Sequence, residues 1–175
     1  MPCQEIFMNF KKLHREEHED SETLKPRSAT RTVLFDQDGK VAILNVKKHG
    51  YYKIPGGGVE EEKNVKDSAT REVKEETRCN CTIVEELGQV KTEIPVWGTL
   101  DISDGFVAVV QGEKALPSYE EWEIERGFEV EWFDDIDTAI STIESNIVTE
   151  PGMDTIQKRD LNFLKLAREK LNHQF

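Results

Sequence analysis

Three glutamates in the middle of the sequence have a spacing that suggests metal chemistry. Glu72, Glu75 and Glu76 are separated so that an α-helix would place their carboxylates on one face. Such close negative charges repel one another unless a cation lies among them, and Mg²⁺ or Mn²⁺ prefers carboxylate and carbonyl oxygens as ligands. The spacing therefore predicts a site for a hard divalent cation. The structural alternative is a solvated helix face paired with Lys74 and Arg78.

The glycine run before this helix predicts where a ligand can approach. Gly56, Gly57 and Gly58 follow Pro55, and glycine allows both a sharp reversal of the chain and a close approach of bare backbone. The carbonyls of Gly56 and Gly57 are further candidate metal ligands. The backbone of Gly57 and Gly58 is a candidate substrate-binding surface.

Residues 57–79 resemble the signature of the Nudix hydrolases, G-x5-E-x7-R-E-U-x-E-E-x-G-U, in which U is an aliphatic residue. The positions in register are Gly57, Arg71, Glu72, Val73, Glu75 and Glu76. Five fixed residues at these spacings would arise by chance in roughly one such chain in a thousand. Cys79 takes the closing aliphatic position, where a small buried side chain is suitable.

Two positions depart from this signature. Its first Glu is Lys63 here, and its closing Gly is Arg78. In the family that Glu supports the signature arginine, so its replacement affects the support of Arg71, and one of the acids at 60–62 could take its place. A left-handed residue is usual at the position of Arg78. Because a side chain in that conformation costs about 1 kcal/mol, we expect the helix to end differently.

The resemblance implies hydrolysis of a nucleoside diphosphate that is linked to another group. It also implies an α/β fold, the Nudix-type α/β/α sandwich with a mixed β-sheet. The three glutamates, with the carbonyl of Gly56 or Gly57, would hold one to three Mg²⁺ ions, and Arg71 would orient the carboxylates. These ions would neutralise the diphosphate and lower the pKa of a bound water.

A general base must take the proton of that water. We place Glu76 first and Glu123 second, because the family uses either a signature glutamate or an acid on a later loop. The other acids of the later segment are Glu120, Glu121 and Glu125. Glu121 also fits a helix-capping box. Trp122 and Trp132 could stack on a nucleobase, although large aromatic residues more often belong to the core.

Hydrophobic patterning predicts the elements that must position the site. Strands are predicted at 6–10, 32–35, 41–46, 51–54, 81–84, 88–93, 105–111 and 130–133. Helices are predicted at 65–77, at 134–144 and at 154–171, and the last of these opens with Asp154 and Gln157. Strands 32–35 and 41–46 flank an Asp/Gly turn and form a hairpin. The charged segment 11–22 is expected to be a solvated loop or a frayed helix.

Length, charge and cysteine content limit the class of protein. The chain has 175 residues, the size of one domain, which we divide into a charged extension at 1–27 and a Nudix domain at 28–175 that includes a C-terminal helix. A net charge of −12 disfavours broad nucleic-acid or membrane binding, although a metal ion can reverse the local sign. An odd number of cysteines and the lack of a signal or membrane segment predict a cytoplasmic protein.

The sequence leaves open which substrate is used and whether the protein is catalytically active. A nucleoside triphosphate, a nucleotide sugar, a dinucleoside polyphosphate or a triphosphorylated RNA end would all suit the family, and we expect a small nucleotide. The second hypothesis is an inactive Nudix fold that binds a nucleotide or partner as a sensor, because a fold does not determine a function. The intact glutamates favour the enzyme. The oligomeric state, the number of metal ions and the role of the N-terminal extension stay open.

Overall fold

One mixed β-sheet with helices on both faces forms the fold in our computed structural model, which describes residues 23–60, 64–114 and 127–173. The strands of this part of the chain are β1 (Lys25–Phe35), β2 (Val41–Val46), β3 (Tyr51–Lys53), β4 (Asn80–Ile94), β5 (Thr99–Gln111) and β6 (Glu129–Phe133). The helices are α1 (Val65–Thr77), α2 (Ile136–Ser145) and α3 (Met153–Asn172), with a 3₁₀ turn at Pro95–Trp97. The predicted α/β fold with a mixed sheet is confirmed.

The strand order places β1 at the centre of the sheet. The order is β3-β2-β1-β5-β4. β6 pairs with residues 41–45 of β2, on the edge opposite to the one that contacts β1 and β3. β1 runs parallel to β5 along its whole length, whereas it pairs with β2 only at Phe35 and Val41, next to the turn. The predicted hairpin therefore exists, but β2 leaves β1 after one residue pair. This divergence opens space along β1 for the segment that follows β3.

Alternating side chains of the sheet build one hydrophobic cluster on each face. On one face Val33 and Val107 pack with residues of α2 and α3, including Phe163. On the other face Leu34 and Ala108 pack with Val73 of α1. Burial of these side chains holds the helices against the sheet, because each buried aliphatic side chain contributes roughly 1.5–3 kcal/mol.

A buried cluster of charged side chains joins α3 to the sheet. Arg159 of α3 donates to Asp101 of β5 at 3.2 Å and to Asp160 at 2.7 Å. Nε of Arg31 on β1 lies 3.6 Å from the same Asp160 carboxylate. Burial and the neighbouring Arg159 lower the pKa of Arg31 to about 10, although the two acids oppose this shift. All four side chains are nearly inaccessible to solvent, so each charge depends on the others for compensation.

The helix that carries the glutamates spans the predicted residues and is capped at both ends. Asn64 is the N-cap, and its side chain accepts the Lys66 N–H at 2.8 Å. At the other end Arg78 adopts φ 60° and ψ 10°, and its N–H donates to the Lys74 carbonyl. Our expectation of a different ending was wrong, because the arginine accepts the left-handed conformation that glycine usually takes.

Other sequence predictions change in detail. Segments 81–84 and 88–93 are one strand, β4, with two irregularities in its pairing with β5. Asp154 and Gln157 do not open α3: Gly152 is its N-cap, and Gln157 is buried, where its side-chain oxygen accepts the Tyr52 N–H at 3.0 Å. The predictions for 6–10 and 11–22 lie outside the described residues. No helix in the described part of the chain has the length and hydropathy needed to cross a membrane.

Candidate active site

The glycine run lies along β1, in the space that β2 leaves. The N–H of Thr32 donates to the Pro55 carbonyl and that of Thr30 to the Gly57 carbonyl, both at 2.8 Å. Gly56 has φ 154°, and a Cβ at this residue would lie 2.1 Å from the Thr30 carbonyl oxygen. Backbone conformation and backbone contact therefore both require glycine at position 56.

Gly57 brings the backbone against the first glutamate of α1. A Cβ at Gly57 would lie 2.5 Å from the carboxylate carbon of Glu72, closer than any real contact of a Cβ. The Glu72 side chain is 14% exposed, so it faces the loop rather than open solvent. The absence of a side chain at position 57 is what allows loop and carboxylate to meet.

Arg71 connects two of the glutamates with the glycine run. Its Nη1 donates to Oε2 of Glu75 at 2.9 Å, and its Nη2 donates to Oε1 of Glu72 at 2.8 Å. The same Nη2 lies 3.4 Å from the Gly58 carbonyl oxygen. Burial alone would lower the pKa of Arg71, but its hydrogen bonds to the Glu75 and Glu72 carboxylates, and their negative charges, raise it. Arg71 therefore stays charged and contacts both carboxylates.

Glu76 is the most buried carboxylate of the helix, and it pairs with Lys53 instead of Arg71. Its Oε1 accepts Nζ of Lys53 at 2.6 Å, and its Oε2 accepts the Gly56 N–H at 2.8 Å. The Glu76 side chain is 7% exposed and that of Lys53 is 19% exposed. Burial raises the pKa of Glu76 above its ordinary value, although Lys53 and the Gly56 N–H oppose the shift.

The match between this chain and known families covers both the sheet and this site. Residues 25–142 match the family model described as NUDIX domain. The chain belongs to the Nudix family. This match includes β1 to β6, the glycine run and all three glutamates of α1. No curated protein sequence matches the chain.

Solved structures of Nudix proteins share the fold. A NUDIX hydrolase from Nitrosomonas europaea is 19% identical, with a TM-score of 0.60 over 83% of this chain and 90% of the other. A MutT protein from Methanosarcina mazei Go1 is 22% identical, with a TM-score of 0.58 over 83% and 95%. The NUDIX domain of Shewanella oneidensis NrtR, solved with ADP ribose, is 17% identical, with a TM-score of 0.58 over 87% and 93%.

Nudix proteins use divalent metal ions, and the donor atoms at this site suit one. Carboxylate and carbonyl oxygens are the ligands that Mg²⁺ prefers, and the missing Cβ of Gly57 gives the Glu72 carboxylate access to the loop. Within 23–60, 64–114 and 127–173, however, no three His, Cys, Asp or Glu side chains are arranged around one metal position. The carboxylates contact Arg71 and Lys53 instead, so a bound metal ion would replace part of these ion pairs.

The structure places most of the predicted site residues in one connected group. Glu72 and Glu75 meet through Arg71, Gly58 contacts the same arginine, and Glu76 binds the loop. The roles we assign to these residues stay predictions. Glu123, the acids around it and Trp122 lie outside the described residues. Trp132 packs beside the cluster on the α1 face, and Nζ of Lys114 lies 4.3 Å from its ring centroid.

Two residues of the site were not predicted from the sequence. Lys53 is 23 positions from Glu76, and no local spacing links a strand residue to a helix residue. Asp160 of α3 accepts the Ile54 N–H at 2.9 Å and so supports the segment that leads into the glycine run. A signal for Asp160 exists in the sequence, since Arg159 and Asp160 are charged residues that interrupt the apolar face of a helix.

Proposed function

We propose that this Nudix protein is a Mg²⁺-dependent pyrophosphohydrolase that cleaves a nucleoside diphosphate linked to another group. The observation that carries the proposal is the position of Arg71, which contacts Glu72, Glu75 and the Gly58 carbonyl at once. This contact joins two of the three glutamates to the glycine run. The chain is accordingly a hydrolase that acts on phosphoanhydride bonds, as Nudix hydrolases do.

The three glutamates of α1 would hold the metal, together with one backbone carbonyl of the glycine run. The Gly57 carbonyl already accepts the Thr30 N–H, which favours the Gly56 carbonyl as that ligand. When bound, Mg²⁺ would neutralise the diphosphate and lower the pKa of a bound water. Arg71 holds Glu72 and Glu75 through one oxygen of each, so their orientation does not depend on the metal alone.

Glu76 is the residue that we assign as general base. The Gly56 N–H fixes one of its oxygens toward the loop, and burial raises the pKa of its carboxyl group. A raised pKa makes a carboxylate a stronger base near neutral pH. Glu123 is the second candidate for this role.

A small nucleotide, either a nucleoside triphosphate or a nucleotide sugar, is the substrate class that we propose. The Nudix domain of Shewanella oneidensis NrtR was solved with ADP ribose, which supports a nucleotide sugar. The net charge of −12 disfavours a long polyanion such as RNA. We also place the protein in the cytoplasm, because Cys79 and Cys81 are free thiols and a reducing compartment keeps them so.

A nucleotide panel tests the proposed function. Purified protein is incubated with nucleoside triphosphates, ADP-ribose, other nucleotide sugars and dinucleoside polyphosphates, in Mg²⁺ or in EDTA, and products are separated by ion-exchange chromatography. We expect turnover of at least one compound in Mg²⁺ and none in EDTA. No turnover of any compound under either condition would contradict the proposal.

One observation favours a second candidate, a nucleotide sensor without hydrolysis. Arg71 and Lys53 pair with all three glutamates, so the chain can balance most of their charge without a metal ion. A sensor would give no turnover but would melt at a higher temperature with one nucleotide of the panel, since a ligand that binds only the folded state stabilises it. The same samples therefore separate the two candidates.

A further inference from the structure

Lys53 lies where strand β3 faces the glutamate helix. It pairs with Leu44 of β2 in the sheet, and its side chain extends toward α1. Its Nζ is 2.6 Å from Oε1 of Glu76, and both side chains are largely buried. A buried ion pair of this length is a strong local constraint, because either charge alone would be poorly solvated.

The position of this ammonium conflicts with a metal ion at the same oxygen. Glu76 has two oxygens, and Oε2 already accepts the Gly56 N–H at 2.8 Å. Nζ of Lys53 contacts Oε1, the other oxygen. A cation that binds Glu76 through Oε1 therefore displaces Lys53 from it, since two positive charges on one oxygen would repel each other.

A second partner is present for the displaced ammonium. Nζ of Lys53 lies 5.3 Å from the ring centroid of Phe128, within the range of a cation–π interaction. The contact with this ring does not use the Glu76 carboxylate. Lys53 can therefore leave Glu76 without losing every favourable contact.

We propose that Lys53 is a counter-cation for Glu76 that is built into the chain and competes with the metal ion. Without metal, the ammonium neutralises the buried carboxylate and stabilises the fold; with metal, it leaves Oε1 to the incoming ion. Lys53 therefore lowers the affinity for the metal ion and stabilises the buried Glu76 carboxylate when no metal ion is bound. This inference rests on the proposed function only in requiring a divalent metal at the glutamates.

Removal of the Lys53 charge tests the competition. We expect Lys53→Met to bind Mg²⁺ about tenfold more tightly than the parent in isothermal titration calorimetry, because it removes the competing cation. In EDTA the variant should melt at a lower temperature than the parent, and Mg²⁺ should raise its melting temperature by more. Unchanged or weaker Mg²⁺ binding by this variant would overturn the proposal.

Lys66→Met is the matched control, because it removes the same formal charge. Nζ of Lys66 pairs with Glu86 on the surface, where both side chains are more than half exposed. We expect its Mg²⁺ affinity and melting temperatures to equal those of the parent. Equal tightening in both variants would show an effect of overall charge and would also contradict the role of Lys53.

A measurement on the unmodified protein covers the case in which Lys53→Met does not fold. Lysine amines are acetylated with a succinimidyl ester in EDTA or in Mg²⁺, and the rate at each lysine is followed by mass spectrometry. Lys53 should react slowly in EDTA and several-fold faster in Mg²⁺, whereas Lys114, which pairs with Asp36 at 2.7 Å, should not change. The same rate at Lys53 under both conditions would overturn the proposal.

Both tests report on the metal alone and need no substrate. A failure of the proposed function would appear as a nucleotide panel without turnover, whatever the behaviour of Lys53. A failure of the present inference would appear as an unchanged Mg²⁺ affinity or labelling rate, even in an active enzyme. The two failures are therefore distinguishable.

Discussion

At the scale of single residues, the site depends on two glycines that lack a side chain for different reasons. A Cβ at Gly57 would meet the carboxylate of Glu72, which is a side chain that can move. A Cβ at Gly56 would meet the backbone carbonyl of Thr30, which the sheet holds in place, and Gly56 also has positive φ. Gly57 therefore leaves room for the Glu72 carboxylate, whereas Gly56 is required by the backbone conformation of the loop.

Alanine substitutions should separate these two functions. Gly57→Ala should lower kcat/KM by about a hundredfold, because it displaces the Glu72 carboxylate, and should cost less stability than Gly56→Ala. Gly56→Ala should lose roughly 3 kcal/mol of unfolding free energy in urea denaturation. Gly39→Ala, at positive φ in open space, should lose only about 1 kcal/mol. A stable, fully active Gly57→Ala would contradict the close approach that we describe.

The site residues that lie close together in the sequence could be predicted, whereas Lys53 could not. Glu72, Glu75 and Arg71 are neighbours on one helix, so a period of 3.6 residues is enough to place them together. The pair of Lys53 and Glu76 joins a strand to a helix. Its formation depends on how α1 packs on the sheet, which no short-range pattern contains.

At the scale of elements, helix α3 supports the candidate active site from the opposite face of the sheet. Gln157 accepts the Tyr52 N–H and Asp160 accepts the Ile54 N–H, so two residues of α3 hold the segment that enters the glycine run. Asp160 also balances the buried charges of Arg159 and Arg31. The helix thus stabilises the sheet and fixes the start of the loop.

Loss of the Asp160 charge should destabilise the protein strongly. Asp160→Asn keeps the shape of the side chain but leaves two buried arginines with Asp101 as their remaining buried acid, which should cost roughly 3–5 kcal/mol in urea denaturation. Asp154→Asn is the control, since Asp154 pairs with Lys158 at the surface and its loss should cost at most about 1 kcal/mol. Equal unfolding free energies for the two variants would show that the buried cluster does not anchor α3.

Elements with a clear period could be predicted, and their junctions could not. The apolar stripe of Val65, Ala69 and Val73 defines α1, and the structure has this helix at the predicted residues. The sequence predicts 81–84 and 88–93 as separate strands, and the second of these begins at Gly88. In the structure an irregularity between Glu86 and Gly88 accommodates this glycine, so the strand continues through it.

At the scale of the whole molecule, charge is distributed unevenly between surface and interior. The chain has a net charge of −12, yet its buried ionic cluster contains Arg31, Arg159, Asp101 and Asp160 in balance. Burial alone would raise the pKa of Asp101, but Arg159, a hydrogen bond from Ser103 and Arg31 lower it below its ordinary value of 3.8. Folding therefore favours the ionised form of this acid.

The lowered pKa of Asp101 predicts how stability depends on acid. Because the folded pKa lies below the unfolded one, the contribution of Asp101 is present above pH 3.8 and is lost as the pH falls through the folded value. The unfolding free energy should therefore fall below about pH 4. Asp101→Asn should be less stable than the parent at pH 7, and the difference should shrink toward pH 2. A difference that does not change with pH would contradict this assignment.

The class of the fold could be predicted, but the order of its strands could not. Alternation and helical periods identify which segments are strands and helices, which suffices for an α/β sandwich. The parallel pairing of β1 with β5 brings together residues more than seventy positions apart, such as Val33 and Val107. Pairing over such a distance depends on how the whole sheet buries its two faces, so local sequence patterns do not predict it.

The most direct test of the account compares catalysis by Glu76→Gln with that of the parent. We measure kcat/KM in Mg²⁺ for the best substrate of the nucleotide panel and include Glu144→Gln, a surface residue paired with Lys165, as a control. Glu76→Gln should lower kcat/KM by about a hundredfold or more, since it removes both a metal ligand and the proposed base, while Glu144→Gln should match the parent. Equal kcat/KM values for Glu76→Gln and the parent would contradict the assignment of this site.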